Sequence, residues 1–358
     1  DIENLVITGL AIDSREVNTN NLFIAIKGTQ TDGHKFIENA VKKGAIAVLC
    51  EIIPKKKNKA VTYIQVTSTE QCLGIICSNY YDNPSKDLKI IGVTGTNGKT
   101  TIATLLYEMF EKLGYKTGLV STICNYIHDK EISATHTTPN AIKLNELFYK
   151  MVEVGCEYCF MEVSSHAIVQ KRIEGVKFSG GIFTNLTHEH LDYHKTFKEY
   201  INAKKMFFDF LPKTAFALTN IDDKNGEYVL QNTKAKKYTY ALKPIADFKC
   251  KIIEKHFNGT LLNLDSTEVW TRFTGRFNAY NVLTVYAVAT ILEFDKSEIL
   301  TILSELKPVN GRFDTINKKG ITAIVDYAHS PDALQNVLKT INEIKSENQR
   351  LITVVGAG

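Results

Sequence analysis

The chain has 358 residues, 44% hydrophobic and 23% charged, with a formal net charge of +4. That length predicts two or three domains, and the balance excludes a disordered chain, a collagen-like chain and a coiled coil. No apolar run approaches the roughly 20 residues that cross a bilayer, so no membrane insertion is expected. The mild basicity is not that of a nucleic-acid binder, and no nucleic-acid partner is expected.

The opening Asp1-Ile2-Glu3-Asn4 lacks the basic-then-apolar layout of an export signal, and the missing Met predicts trimming upstream. Seven cysteines without a framework read as reduced thiols of a cytoplasmic protein. Cys156 and Cys159 form a lone CxxC that opens an apolar run, so buried strand thiols are favoured over zinc or redox chemistry. The run Lys55–Lys59, without aromatics, reads as a solvated loop.

In chain order, strands are expected at Leu22–Ile26, Ala45–Leu49 and Val61–Val66, with a helix around Phe36, Ile37, Ala40 and Val41. Asp82-Asn83-Pro84-Ser85 marks a break. The run Lys89–Thr94 starts a new unit: strand, glycine loop, then a helix from Thr100 to about Lys112. Strands follow at Gly118–Thr122, Tyr158–Val163, Gly180–Thr184 and Ala215–Thr219. Residues 237–273 suggest an antiparallel patch. Helices fit Phe197–Leu211, Asn278–Leu292 and Ser297–Leu306. After the linker Lys307–Gly311 come a strand Thr322–Asp326, a helix Pro331–Ile344 and a strand Leu351–Val355. The alternation predicts an α/β fold. The expected domains are residues 1–86, 87–308 and 309–358, the last incomplete as a β-α-β start.

The sharpest chemical signal is Gly92-Val93-Thr94-Gly95-Thr96-Asn97-Gly98-Lys99-Thr100-Thr101. A strand, a tight turn and a helix N-terminus aim backbone N–H groups at one spot, where the helix dipole favours an anion. Lys99 then neutralises β/γ-phosphate charge and the Thr100 hydroxyl suits Mg²⁺. Val93 stands where the strict GxxxxGK[ST] pattern has its first glycine, so the loop is a variant. No guanine-reading NKxD element is present, since Asn220-Ile221-Asp222-Asp223-Lys224 has the wrong order. A kinase with the same loop stays open at this point.

Glu162 ends a strand, a position suited either to a metal or to a helix cap. Three of nine histidines fall within His188–His194. The i, i+4 pair His190 and His194 could suggest zinc, but Asp192 stands where HExxH needs its second His. Mg²⁺ with oxygen ligands and one imidazole is preferred here, against surface histidines. Lys204 shares a helical stripe with residues 197, 200, 201, 207, 208 and 211, whereas Lys198 and Lys205 fall off it. A lysine on an apolar stripe is paired, neutralised or modified, or it snorkels from the edge.

Together these strings resemble the Mur ligases, ATP-dependent amide-forming enzymes of peptidoglycan precursor synthesis. The resemblance runs from about Asp13 to Gly358. It is carried by Asp13-Ser14-Arg15, Asp32-Gly33-His34, Gly95–Thr101, Thr137-Thr138-Pro139, Glu162–His166, His190–His194, Ala203-Lys204, Phe277–Asn281, Gly311-Arg312-Phe313 and Asp326–His329. The Thr-Thr-Pro, Glu-Val-Ser-Ser-His and Asp-Ser-Arg strings narrow it to the branch that adds the third residue of the stem peptide.

The resemblance implies a three-domain fold around a P-loop sheet, a monomer, and the cofactors ATP and Mg²⁺. Its substrates are a UDP-N-acetylmuramoyl-dipeptide and an amino acid. Ser14, Thr29, Gln30 and Thr31 are implied at the uridine end, and Thr137, Thr138, Ser164, Gln170 and Arg172 at the muramoyl-dipeptide. Gly95, Thr96, Asn97, Gly98, Lys99, Thr100 and Thr101 would hold phosphates. Asn278 and Asn281 would approach adenine, with Arg312, Asp326 and His329 also on the nucleotide. Thr100, Glu162 and His190 would serve Mg²⁺; Lys99, Lys204 and His190 would be catalytic, with Lys204 carbamylated.

The implied reaction has the dipeptide carboxylate attack the γ-phosphate, and the amine then displace phosphate from the acyl phosphate. His188-Glu189 departs mildly from the family's more usual residue-Asp before His190. The choice between diaminopimelate and lysine is not legible, because the expected C-terminal motif is absent. Two other readings are a nucleotide-sugar-binding fragment without turnover and a folylpolyglutamate-type ligase; the Ser14-Arg15 and Glu162–His166 strings disfavour the latter.

Overall fold

The computed structural model describes residues 5–28, 31–187, 191–243 and 245–356. The chain opens with β1 (Gly9–Ala11), β2 (Asn21–Ile24), α1 (Ile37–Lys42), β3 (Ala47–Cys50), β4 (Thr62–Gln65) and α2 (Thr69–Tyr80). Next come β5 (Lys89–Thr94), α3 (Lys99–Lys112), β6 (Thr117–Val120), β7 (Cys124–Ile127), β8 (Lys130–Ser133), α4 (Ala141–Val154), β9 (Tyr158–Glu162) and α5 (Ser165–Val169). Then follow β10 (Phe178–Phe183), α6 (Leu191–His194), α7 (Phe197–Asp209), β11 (Phe216–Asn220), α8 (Gly226–Val229) and β12 (Lys236–Ala241). The remainder is β13 (Phe248–His256), β14 (Gly259–Leu264), β15 (Thr267–Thr271), α9 (Arg276–Ile291), α10 (Lys296–Glu305), β16 (Asp314–Lys318), β17 (Ile321–Val325) and α11 (Pro331–Ile344).

The fold is α/β, as the alternation predicts, and the chain forms two compact units. The first takes residues through Ile90, then Lys116–Cys159 and Val163–Phe178. Its β1–β4 sheet is parallel throughout. Both faces are covered: Phe23, Ala25 and Val48 pack with α1, whereas Leu22, Ile24 and Leu49 pack with Leu73 and Cys77 of α2 and Ala141 of α4. Two buried faces explain why these strands read as continuous apolar runs. The other strands of this unit lie in the order β5-β9-β6-β7-β8.

The second unit takes Ile91–Tyr115, Phe160–Glu162 and Ser179–Gly358, so β5 and β9 each pass from the first unit into the second. Its strand order is β15-β14-β13-β12-β11-β10-β5-β9. β10 through β13 pair in parallel, and β13–β15 are antiparallel.

Several expectations need amending. β12 belongs to the parallel run and not to the antiparallel patch. The helices α2 and α4 and the β7–β8 hairpin gave no recognised signal, although Ser68 and Asn140 cap α2 and α4 by accepting from Gln71 N and Lys143 N. β17 forms an antiparallel pair with β16, a partner the sequence reading did not include. Leu351–Val355 forms no strand among the described residues, since apolar content alone does not make a ladder. No helix among the described residues is long and apolar enough to cross a membrane.

Candidate functional site

β5 delivers the chain into the loop 95–98, and α3 starts at Lys99. Both loop glycines are required. Gly95 has φ +148°, and a Cβ there would collide with the Thr184 hydroxyl. Gly98 has φ +89°, and its Cβ would lie 2.8 Å from Asn281 Oδ1. Two lysine cations, one on α3 and one on α7, meet this backbone. Lys99 Nζ donates to the carbonyls of Gly95 (3.0 Å) and Thr96 (2.6 Å), and Lys204 Nζ donates to Gly95 O at 2.9 Å.

Lys204 is 1% exposed and its Nζ stands 4.5 Å from the Tyr200 ring centroid. The helical stripe is real: Tyr200, Ile201, Phe207 and Phe208 are buried beside it. Lys205 lies off that stripe. It is buried as well, with Nζ 2.8 Å from both carboxylate oxygens of Asp209, because α8 covers that side of α7 through Tyr228. Lys198, also off the stripe, is exposed.

A cavity of about 430 Å³ opens beside the loop. Asn97, Gly98, Thr101, Asn278, Asn281, Arg312, Asp326 and His329, all expected at the nucleotide, line it. Arg312 Nη2 donates to Thr100 Oγ1 at 3.3 Å, and its guanidinium stacks 4.8 Å from the Tyr327 ring. Its Nε is buried with no hydrogen-bond partner. A buried unpaired cationic N–H is costly. Asp326 accepts from Phe313 N at 2.8 Å, and burial pushes its carboxyl above the usual range. His329 is exposed and sits against Tyr327 O. Asn278 binds Thr274 O and accepts from Asn281, so this pair is already oriented by α9.

Asn185, Asp222 and Tyr280 also line the cavity, and the sequence reading assigned none of them to a site. Tyr280 donates to Asp222 Oδ2 at 2.7 Å, and burial pushes its hydroxyl up to about 12. A polar residue following a strand was the only signal available for Asn185.

Glu162 ends β9 and is 1% exposed. Lys89 N bonds Glu157 O at 2.9 Å, which sets the starts of β5 and β9 side by side, so both strands run the same way. Glu162 and the phosphate loop therefore share one sheet edge. Thr100 and Glu162 offer hard oxygen donors, which fit Mg²⁺ and not a thiolate-loving metal. No group of three or more His, Cys, Asp or Glu is arranged for a metal among the described residues. His190, with His188 and Glu189, lies outside the described residues. His194 is buried with its ring 5.1 Å from that of Tyr200.

The candidates for the other substrate fall in the first unit. Arg172 donates through Nη1 to Thr138 O (2.8 Å) and through Nε and Nη2 to Gln170 Oε1 (3.0 and 2.6 Å). Thr138 Oγ1 accepts from Ser164 N at 3.2 Å, and Thr137 accepts from the Thr122 hydroxyl. Ser164 Oγ caps α5 by accepting from Ala167 N. Ser14 is buried, with Asn39 Nδ2 3.5 Å from its hydroxyl, and Thr31 is exposed with its carbonyl bonded to Gly28 N. Thr29 and Gln30 lie outside the described residues. Arg15 holds Asp13 in an ion pair that lowers the Asp13 pKa.

The Mur ligase middle domain matches residues 93–289, the catalytic domain of the Mur ligase family matches 6–81, and the glutamate ligase domain of Mur ligases matches 311–358. The UDP-N-acetylmuramoyl-L-alanyl-D-glutamate--2,6-diaminopimelate ligase of Phocaeicola vulgatus is 56% identical over 98% of this chain and 73% of that protein. The ligase of the same name from Bacteroides thetaiotaomicron is also 56% identical, over the same shares. A solved structure of a ligase of that name superposes with a TM-score of 0.83 at 30% identity, covering 95% of this chain and 71% of its own. The chain belongs to the Mur ligase family.

Proposed function

We propose that this chain joins diaminopimelate to UDP-N-acetylmuramoyl-L-alanyl-D-glutamate, with ATP cleaved to ADP and phosphate, as a cytoplasmic monomer. The single observation that carries the ATP-dependent reading is the glycine loop between β5 and α3, which opens into the cavity that Asn281 and Arg312 also line. The acceptor amino acid rests on the printed names of relatives at 56% identity. The three functional segments are residues 1–86, 87–308 and 309–358.

Gly95–Thr101 cradle the phosphates, and Lys99 and Arg312 face the charge that develops on the transferred phosphoryl group. Lys99 donates to two loop carbonyls, bonds that a bound phosphate replaces. The D-glutamyl carboxylate attacks the γ-phosphorus and ADP leaves. The amine of diaminopimelate then attacks the acyl carbon, and phosphate leaves. Thr137, Thr138, Ser164, Gln170 and Arg172 hold the dipeptide, and Ser14 with Thr29, Gln30 and Thr31 hold the uridine end. Asn278, Asn281, Asp326 and His329 hold the rest of the nucleotide. Thr100, Glu162 and His190 would hold Mg²⁺, which when bound would neutralise phosphate charge.

Lys204 is carbamylated in the active form. A carbamate keeps one N–H, so the bond to Gly95 O survives the modification while the charge changes sign. The test is release of ADP with the UDP-dipeptide and either diaminopimelate or lysine. Turnover with diaminopimelate is expected, and a clear preference for lysine would overturn the acceptor assignment.

A further inference from the structure

The loop between β5 and α3 is held less by its own turn than by the segment that leaves β10. Thr96 N donates to Asn185 O at 2.8 Å. Asn97 N donates to Asn185 Oδ1 at 3.0 Å, and Asn185 Nδ2 donates back to Asn97 O at 3.2 Å. The Thr184 hydroxyl donates to the same carbonyl at 2.7 Å. One side chain thus satisfies both the N–H and the C=O of one loop residue, as a neighbouring strand would. The brace is itself anchored: Asn220 Nδ2 donates to Thr184 O at 2.9 Å, and Asp223 accepts from Leu186 N at 2.8 Å.

A planar trans peptide points its C=O and its N–H in opposite directions. Two donors fixing the Asn97 carbonyl therefore fix the direction of the Gly98 N–H, the amide at the start of α3. Gly98 cannot set that direction alone, because glycine has the widest backbone freedom. Released, the Asn97 carbonyl could turn toward the cavity and oppose a phosphate with its own partial negative charge. We propose that Asn185 and Thr184 are positioning residues for the phosphate loop, holding the Asn97–Gly98 peptide so that its N–H faces the nucleotide phosphates. This rests on the ATP reading given above.

The test is calorimetry of this chain with ATP and with adenosine, on Asn185→Ala, Thr184→Val and Thr184→Ser. Losing a donor to this half-buried carbonyl predicts ATP affinity about tenfold to a hundredfold lower in Asn185→Ala and Thr184→Val. Adenosine, which has no phosphate, should bind all variants within about twofold of wild type, and Thr184→Ser should restore ATP affinity. Thr184→Val has the shape of the native residue, so it carries the test even if Asn185→Ala fails to fold. Unchanged ATP affinity in Thr184→Val would overturn the proposal, as would equal loss of ATP and adenosine. Wild-type protein that binds no ATP would overturn the nucleotide reading itself, and the positioning role with it.

Discussion

The phosphate loop turns backbone toward its cavity, whereas the Thr138–Arg172 cluster turns side chains onto one another. In the loop, glycines at 95 and 98 give close approach, two lysines bond carbonyls, and Arg312 Nε has no partner. In the cluster, Arg172 already spends three donors on Gln170 and the Thr138 carbonyl. The first arrangement suits a polyanion that replaces weak internal bonds. The second pre-orients one guanidinium, so that a carboxylate meets a fork already aimed. The two sets of candidates lie in different compact units. Loss of one function should therefore spare binding at the other.

The strongest way to break that comparison is Lys99→Ala. Ligation should fall by about a thousandfold or more, since a preorganised charge at the phosphoryl group is lost. Calorimetry should still give an affinity for the UDP-dipeptide within about twofold of wild type, and parallel loss would mean the sites are not separate.

Lys204→Ala should be nearly as inactive. Acetate should restore part of the activity by refilling an anionic position, and CO₂-stripped buffer should slow the wild type until bicarbonate is added. If neither treatment has any effect, Lys204 is an unmodified amine that serves only to bond Gly95.

Arg172→Ala addresses the other region. KM for the UDP-dipeptide should rise about ten- to a hundredfold, the value of a charged hydrogen-bonded pair, with KM for ATP unchanged. A rise confined to ATP would place Arg172 at the wrong substrate.

Lys205→Ala sharpens the contrast within α7. It breaks a largely buried ion pair to Asp209, so stability should drop by about 1–2 kcal/mol in denaturant titration. Turnover per folded molecule should stay near wild type; an equal loss of turnover would erase the distinction from Lys204.

The smallest effect is expected at Asp13. Arg15 holds its pKa below the ordinary carboxylate value. The stabilisation is therefore present above that ordinary value and is lost as pH falls through the lowered one. The pair is exposed, so screening leaves only a small shift of melting temperature at neutral pH for Asp13→Asn, fading in acid. A shift that grows in acid would reverse the assigned sign.

Much of the fold and of the nucleotide site was legible because the signals are local. The strand, glycine turn and helix at 89–112 follow one another without interruption. The 3.6-residue period around Lys204 is written in neighbours along one helix. The caps of α2 and α4, Ser68 and Asn140, by contrast precede helices with mixed surfaces and so give a weak local signal. The β7–β8 hairpin has polar positions at Asn125, Lys130 and Glu131 that blur its alternation.

The sequence by itself determined the loop, the stripe that carries Lys204 and the family strings, because backbone geometry and helical period act within a few residues. Only the tertiary structure decided that Lys205 is buried too, since α8 covers a face that periodicity counts as outside. It alone placed residues 116–159 with the first ninety, through the apolar contact of Ala141 with β2, β3 and α2. It alone revealed Asn185 as the brace of Asn97, a partner 88 residues away. Hydrogen bonds of that span leave no period in the sequence, because the two ends are brought together by the order of strands in the sheet.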